Sequence, residues 1–382
     1  MNAKSSSDVR LLVFLPWLHL AEPTTVVGVE FIPFPTRGNI PEKLPELADP
    51  LSRFLASYVD IEGKPLGRCT VATIPARVPG WSLQEDDTSR ISDAVALLFL
   101  CAISQDSYFS PLGSYANSTQ LQILAQQFEG SLGPESPIII HSRRRDGPAR
   151  DLRLDRNIRF MRPQEANSYR VEVDHQLAEA LTEASHSKSD ALERTRTALP
   201  FFTLANTDSY TVSPQAEIVF TASAFGYLLK CDGNRRLAKE IGLLFKGYDT
   251  VTVQQAQAAR PKIVLDPKGA DKSWFVHQKW LSELYCLRNE YIHGKVLQGY
   301  AWHPMEHLLI SRLVFVLVVK LLLAKEGHYK ITPDDEGKLK AVDQLLSAAN
   351  WEGQGTGADL NVWQDILEKN RKSAIIMNAL AS

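Results

Sequence analysis

The residues best suited to chemistry lie close together near the end of one segment, in the string Arg288-Asn289-Glu290-Tyr291-Ile292-His293. Histidine can carry a proton near neutral pH, and arginine can hold phosphate oxygens through two parallel hydrogen bonds. Metal-free cleavage of a phosphodiester beside a 2′-hydroxyl needs a base for the hydroxyl proton, an acid for the leaving 5′-oxygen and a cation near phosphorus. Arg288, Asn289 and His293 are therefore candidates for that chemistry.

A helix must position these groups. Apolar or aromatic residues recur at i, i+4, i+7 and i+11, at Trp280, Leu284, Leu287 and Tyr291, which predicts an amphipathic helix with one face in a core. Gly294 suits the left-handed position that follows a helix. His293 would then lie in the last turn, where exposed carbonyl groups favour a protonated imidazole.

The candidate residues do not all share one face of this helix. Asn289 and His293 are four residues apart and lie on the same face. Arg288 lies about 140° round the helix from His293, at 100° per residue. A long side chain closes part of that gap, and a second copy of the helix across a twofold axis could close the rest.

The string from Leu287 to Gly294 (LRNEYIHG) resembles the Arg-x4-His motif of the HEPN superfamily, most closely its Apea-like branch. The resemblance covers about residues 190 to 382. It implies an all-α bundle that forms a homodimer with the motifs facing each other. It also implies a metal-independent endoribonuclease of the toxin or antiviral-defence type, which leaves a 2′,3′-cyclic phosphate and needs no cofactor. By position, Arg288 and His293 would be the catalytic pair and Asn289 the polar residue that follows the arginine.

The chain departs from the family pattern in one place. Members often carry an acid in an upstream Ala-Leu-Glu-like string, but Phe220 to Leu229 (FTASAFGYLL) has none, and Glu217 is the nearest substitute. A non-catalytic module that dimerises or binds RNA is therefore an alternative. The same Arg-x4-His spacing also occurs from Arg170 to His175, in a segment whose alternation predicts a strand leading into a helix.

A zinc-peptidase pattern is a second alternative, since His303-Pro304-Met305-Glu306-His307 reads H-x-x-E-H. Pro304 favours the first position of a helix, which makes His303 the cap and turns its side chain away from that of His307. The third ligand would have to be Glu326, Glu336 or Glu352. A capped helix start explains the same string without a metal.

A basic run extends from His141 to Arg162 and contains eight arginines and three aspartates. It could follow an RNA backbone, with candidate contacts at Arg143, Arg144, Arg145, Arg153, Arg156 and Arg159. A solvated loop and edge strand, whose charges discourage aggregation, explains the run equally well.

The first part of the chain has the texture of an α+β domain. Predicted strands, from β-branched and apolar runs, are Leu11 to Leu20, Val26 to Phe34, Arg68 to Ile74 and Pro137 to His141. Leu11 to Leu20 is a buried strand rather than a signal peptide, because it contains Pro16 and lacks a small-residue cleavage site. Predicted helices are Ser89 to Ile103 and Leu121 to Phe128.

The periodicity becomes helical near residues 165 to 175, which predicts an α+β domain of unknown role over 1–170 and a helical domain over 171–382. Predicted helices cover 174–198, 214–230, 234–246, 272–293, 304–325, 335–349 and 359–371. The apolar run Leu308 to Ala324 has 17 residues and contains Arg312 and Lys320, so it fits a buried helix better than a membrane span, which needs about 20 apolar residues.

The composition is that of an ordinary globular protein, with 44% apolar residues and a net charge of −2. No global field attracts nucleic acid, so an RNA site must be local. The four cysteines form no CxxC pair, which predicts free thiols in a cytoplasmic protein. Phosphate-loop, dinucleotide and serine-hydrolase motifs do not occur in the sequence. Expected partners are RNA, a second copy of the chain and a separate antitoxin or regulator, with no membrane association.

Overall fold

The computed structural model describes residues 9–35, 44, 47–59, 63–77, 79–105, 109, 117–129, 138–140, 150–152, 160–161, 170–207, 211–259, 263, 271–294, 304–351 and 359–381. The chain divides into two compact units: 1–105 with 116–182, and 106–115 with 183–382. The second unit thus begins later than residue 171 and also takes in the segment around Phe109, whose ring lies 5.7 Å from that of Trp363.

The first unit is α+β. Its described strands are β1 (Val9–Leu15), β2 (Thr24–Val26), β3 (Val29–Pro35), β4 (Tyr58–Val59), β5 (Arg68–Thr73), β6 (Leu124–Glu129), β7 (Ile138–Ile140), β8 (Arg150–Leu152) and β9 (Phe160–Met161). Its helices are α1 (Ala48–Leu55), α2 (Asp87–Ile103) and most of α3 (His175–His186), with a short 3-10 helix at Ser118–Leu121. The predicted helix at Ser89 to Ile103 is confirmed, because it lies within α2.

A seven-stranded sheet in the order β2-β3-β5-β1-β6-β7-β8 organises this unit, and β4 pairs with β9 in parallel. β1 is central and antiparallel to both neighbours, with Val13 opposite Ala72 of β5 and Ala125 of β6. Its buried side chains include Leu12 and Phe14, which belong to the core cluster. The predicted strand at Leu11 to Leu20 is thus present, although it ends at Leu15.

Two predictions in this unit need correction. Val26 to Phe34 is not one strand: β2 and β3 form a hairpin, and Val27 takes a φ of 49° in its turn. Leu121 to Phe128 is not a helix, because its residues from Leu124 onward form β6. Pairing with β1 satisfies the backbone of β6 along its length, and this tertiary contact overrides a local pattern that suits either structure.

From His175 onward the described chain is helical, which confirms a helical region after an α+β region. The helices are α3 (His175–His186), α4 (Asp190–Leu204), α5 (Pro214–Leu228), α6 (Asn234–Leu244), α7 (Val253–Ala259), α8 (Val276–Ile292), α9 (Pro304–Lys325), α10 (Pro333–Ala348) and α11 (Leu360–Ala381).

The predicted helix over 174–198 is broken in two. Lys188 adopts the left-handed region at φ 52°, and Ser189 then caps α4, its hydroxyl accepting a hydrogen bond from the Leu192 amide at 3.1 Å. Two further differences are α7, which lies between the predicted helices 234–246 and 272–293, and α11, which extends ten residues beyond the predicted end at 371, to Ala381.

The apolar run predicted to be a buried helix forms α9. In the described part of the chain, α9 is the one helix long and apolar enough to cross a membrane, and 89% of that apolar window is buried. Both of its internal cations are buried with acceptors: Arg312 donates to Asn206 Oδ1 at 2.6 Å, and Lys320 to Asp335 Oδ1 at 2.6 Å. α9 is therefore a core helix of the second unit.

Candidate functional site

The helix that carries the candidate residues, α8, is held by its apolar stripe. Trp280, Leu284 and Leu287 are buried as predicted, whereas Tyr291 is only half-buried. The Trp280 ring packs edge-on against Phe225 of α5, with 5.6 Å between the ring centroids. This packing holds the apolar stripe of α8 against α5.

The first turn of α8 is anchored by one buried carboxylate. Asp343 of α10 accepts hydrogen bonds from the His277 amide and from His277 Nδ1, each at 2.9 Å, and from the Thr250 amide at 3.0 Å. Burial alone would raise the pKa of Asp343, but the hydrogen bonds from His277 and the backbone outweigh burial and hold it below its ordinary value. Asp343 therefore fixes the start of α8 as an ionised group.

The other end of α8 stops where the sequence predicts. His293 is the cap residue, and its amide donates to the Asn289 carbonyl at 3.0 Å. Gly294 follows with a φ of 63°, the left-handed conformation that glycine adopts without a steric penalty. The His293 side chain is exposed, so its imidazole is open to solvent and to a ligand.

Arg288 is aligned by two neighbours on its own helix. One terminal nitrogen donates to Asn289 Oδ1 at 2.8 Å, and the guanidinium carbon lies 5.5 Å from the centre of the Tyr285 ring. A cation in this position is attracted to the face of the ring. Arg288 Nε is enclosed, and within the described part of the chain it has no hydrogen-bond partner. No described carboxylate forms an ion pair with Arg288.

Tyr285 is itself fixed from outside the helix. Its hydroxyl donates to Asp232, in the connection between α5 and α6. Burial is the larger cause and this hydrogen bond the smaller one of a rise in the pKa of Tyr285 above its ordinary value. Sequence reasoning did not find either residue. The spacing of three between Tyr285 and Arg288 could have indicated the first, but nothing local indicates that Asp232 lies beside it.

The structure brings Arg288 and Asn289 together but not all three candidates. Among the contacts described at this end of α8, none joins the His293 side chain to that of Arg288 or Asn289. The described link between His293 and Asn289 runs through the backbone. Glu217, the substitute for the missing upstream acid, is buried in the first turn of α5. A single chain therefore presents an aligned cation and a separate exposed imidazole.

In the described part of the zinc-peptidase pattern, the side chains of Glu306 and His307 make structural hydrogen bonds. His303 lies outside the described residues. His307 is fully buried, and its Nε2 donates to the Asn350 carbonyl at 2.9 Å, while Glu306 accepts from the Asn350 amide at 2.7 Å. Together they tie the start of α9 to the chain after α10. Within the described ranges, no cluster of three metal-ligating side chains occurs.

The remaining sequence-based candidates for RNA contact belong to the basic run from His141 to Arg162. Arg143, Arg144, Arg145, Arg153, Arg156 and Arg159 all lie outside the described residues. The second Arg-x4-His match, by contrast, is described. Arg170 is exposed before α3, and His175 Nε2 lies 2.7 Å from Glu22 Oε1, so this histidine contacts a carboxylate of the first unit.

Comparison of the chain with protein families, with characterised proteins and with solved structures gives no match.

Proposed function

We propose that the helical unit is a HEPN-like, metal-independent endoribonuclease whose site is formed by Arg288, Asn289 and His293. The observation that supports this most directly is the state of Arg288. It is held in place by an amide and an aromatic ring, and it lacks a carboxylate partner among the described residues. An arginine that is aligned and has no described carboxylate partner is ready to bind an anion such as a phosphodiester.

In the proposed reaction, the 2′-hydroxyl oxygen attacks the neighbouring phosphorus as a base removes its proton. The bond from phosphorus to the 5′-oxygen breaks, and an acid protonates that oxygen, which leaves a 2′,3′-cyclic phosphate. His293 supplies proton transfer, worth roughly 10²- to 10⁴-fold in rate. Arg288 binds the scissile phosphate and the charge that develops on it, worth about 10²- to 10³-fold, and Asn289 orients Arg288.

The separation of His293 from Arg288 within one chain supports a homodimer as the active form. A twofold axis beside the ends of two α8 helices would bring each imidazole towards the guanidinium of the other copy. A symmetric pair also supplies two histidines, one for the base and one for the acid. In this proposal the protein acts in the cytoplasm, as a toxin or antiviral effector, and a separate antitoxin or regulator restrains it.

A non-catalytic module that dimerises or binds RNA is the second candidate. It is favoured by the absence of an acid from Phe220 to Leu229, and by the lack of any described contact between the His293 and Arg288 side chains. In that case the aligned guanidinium would bind the RNA backbone without turnover.

The two candidates are separated by incubating purified full-length protein with labelled RNA in EDTA. The nuclease proposal predicts cleavage with 2′,3′-cyclic phosphate ends, and a loss of at least about 10²-fold in rate for His293→Ala and for Arg288→Ala. The double variant Arg170→Ala/His175→Ala is a matched control, because it removes the same residue types at the same spacing in the first unit. Cleavage that survives in His293→Ala, or that the control removes equally, would exclude the proposed site. Retention of RNA without cleavage in wild-type protein would favour the second candidate.

A further inference from the structure

α6 lies antiparallel to the helix of the proposed site. At its start, Asn234 Nδ2 donates to Cys286 Sγ at 3.3 Å, and one turn later the Ala238 carbonyl accepts from Gln278 Nε2 at 2.9 Å. Residue numbers rise along α6 as they fall along α8. The first turn of α6 is therefore placed beside the part of α8 that carries Arg288.

This first part of α6 presents unpaired cations. Arg235, Arg236 and Lys239 are exposed, and within the described part of the chain none of them forms an ion pair with a carboxylate. Arg235 and Lys239 lie about 40° apart round the helix and about 6 Å apart along it. The one carboxylate of α6, Glu240, is turned about 140° from Arg235.

Arg235 borders the face of α6 that contacts α8, and Lys239 lies about 40° further round the helix. Gly242 lies about 20° from Arg235 round the helix, and a side chain added at Gly242 would meet Gln278 of α8. Arg235 and Lys239 therefore flank the surface between the two helices, which we name the α6–α8 strip.

The opposite side of the strip offers different chemistry. Tyr285, Asn289 and His293 follow one another at intervals of four along α8, so they share one edge. Tyr285 contacts Asp232, which lies two residues before α6 begins, and this edge therefore faces the start of α6. The strip thus combines cations, an aromatic ring and an amide, the groups that bind phosphates and unstacked bases in single-stranded nucleic acid.

We infer that the α6–α8 strip binds single-stranded RNA, with Arg235 and Lys239 on successive backbone phosphates leading towards Arg288 and His293. This inference rests on the proposed function and deepens it, because it assigns the path by which the strand reaches the site. A local path is required, since the net charge of −2 gives no long-range attraction for a polyanion.

The test measures binding of a short, uridine-rich, 2′-O-methylated oligoribonucleotide to the full-length protein in EDTA, over a range of salt concentrations. The methylated strand has no 2′-hydroxyl to attack, so binding is measured without cleavage. Reversing both charges, in Arg235→Glu/Lys239→Glu, is expected to weaken binding and to reduce the slope of log affinity against log salt by about 1.4, at 0.7 per phosphate contact.

The matched control is Lys369→Glu/Lys372→Glu, which reverses two exposed cations on α11 and changes the net charge equally. Its slope is expected to equal that of wild type. Equal slopes in the α6 variant and wild type, equal losses in both variants, or no binding by wild type would each overturn the inference. If the α6 variant fails to fold by circular dichroism, Arg235→Gln/Lys239→Gln must give the same reduction in slope.

The two proposals fail differently. If the α6 variant weakens RNA binding but wild-type protein does not cleave unmodified RNA, the nuclease proposal is refuted and the RNA-binding strip stands. If His293→Ala abolishes cleavage but the α6 variants bind RNA as wild type does, the RNA-binding strip is refuted and the nuclease proposal stands.

Discussion

The close approach of α10 and α11 at Gly337 predicts a sharp stability difference between two glycine substitutions. At Gly337 of α10, an added Cβ would lie 2.5 Å from Arg371 Cα and 2.8 Å from Arg371 N of α11. At Gly226 of α5, an added Cβ would have its nearest neighbour at 3.5 Å, the Cys231 carbonyl oxygen, which is an ordinary contact. Both glycines lie inside helices, so replacement by alanine brings the same intrinsic gain in helix stability at each position.

The expected magnitudes follow from these distances. Replacing a helical glycine by alanine stabilises by roughly 0.5 to 1 kcal/mol, which is the whole effect expected for Gly226→Ala. Carbon atoms prefer a separation of about 3.5 to 4.0 Å, so Gly337→Ala must push the α11 backbone away by about 1 Å. Overpacking of this kind costs typically 1 to 3 kcal/mol, which leaves Gly337→Ala about 2 kcal/mol less stable than Gly226→Ala.

The assay is urea unfolding followed by far-ultraviolet circular dichroism, with hydrogen exchange along α11 as the local readout. Gly337→Ala should lower the transition midpoint and speed exchange beyond Trp363, whereas Gly226→Ala should raise the midpoint slightly. If Gly337→Ala proves as stable as Gly226→Ala, with α11 equally protected, the close approach of α10 and α11 at this point is wrong.

Two further predictions concern buried charges in the same unit. Burial would raise the pKa of Asp335, but Lys320 and the neighbouring hydroxyl groups hold this pKa below its ordinary value. The ionised pair of Asp335 and Lys320 therefore stabilises the fold above about pH 4. This stabilisation is lost as the pH falls through the lowered pKa of the folded state. Asp335→Asn should therefore cost about 3 to 5 kcal/mol at neutral pH, and the difference from wild type in chemical unfolding should shrink in acid; a difference that is constant with pH would contradict the ionised pair. Asp343→Ala should cost at least about 3 kcal/mol, because it strands the amides of His277 and Thr250, whereas Asp343→Asn, which keeps an acceptor, should cost less. Equal losses in the two variants would show that side-chain volume, not hydrogen bonding, anchors α8.

The sequence predicts those parts of the structure that depend on neighbours along the chain. The end of α8 at His293 and Gly294 follows from local backbone preference, and the burial of α9 follows from its composition and length. The change from an α+β to a helical texture is likewise a local signal, because helix and strand periods differ within a few residues.

The errors arise where a distant partner decides between local alternatives. The sequence predicts a helix over Leu121 to Phe128, but pairing with β1 and β7 selects a strand for β6. In the site, the helical angle predicts that Arg288 and His293 point in different directions, and no described contact joins their side chains. Tyr285 helps to align Arg288, and Tyr285 is in turn held by Asp232, which lies 53 residues earlier in the chain. No spacing rule within one helix contains that information.

The two cations buried on α9 restrict how this apolar helix can pack. Arg312 and Lys320 are eight residues apart, about 12 Å along the axis, and their acceptors belong to different segments, at Asn206 and Asp335. Sliding α9 by a single turn, about 5.4 Å, would carry both cations away from these acceptors at once. The two buried cations thus select the axial position of this apolar helix.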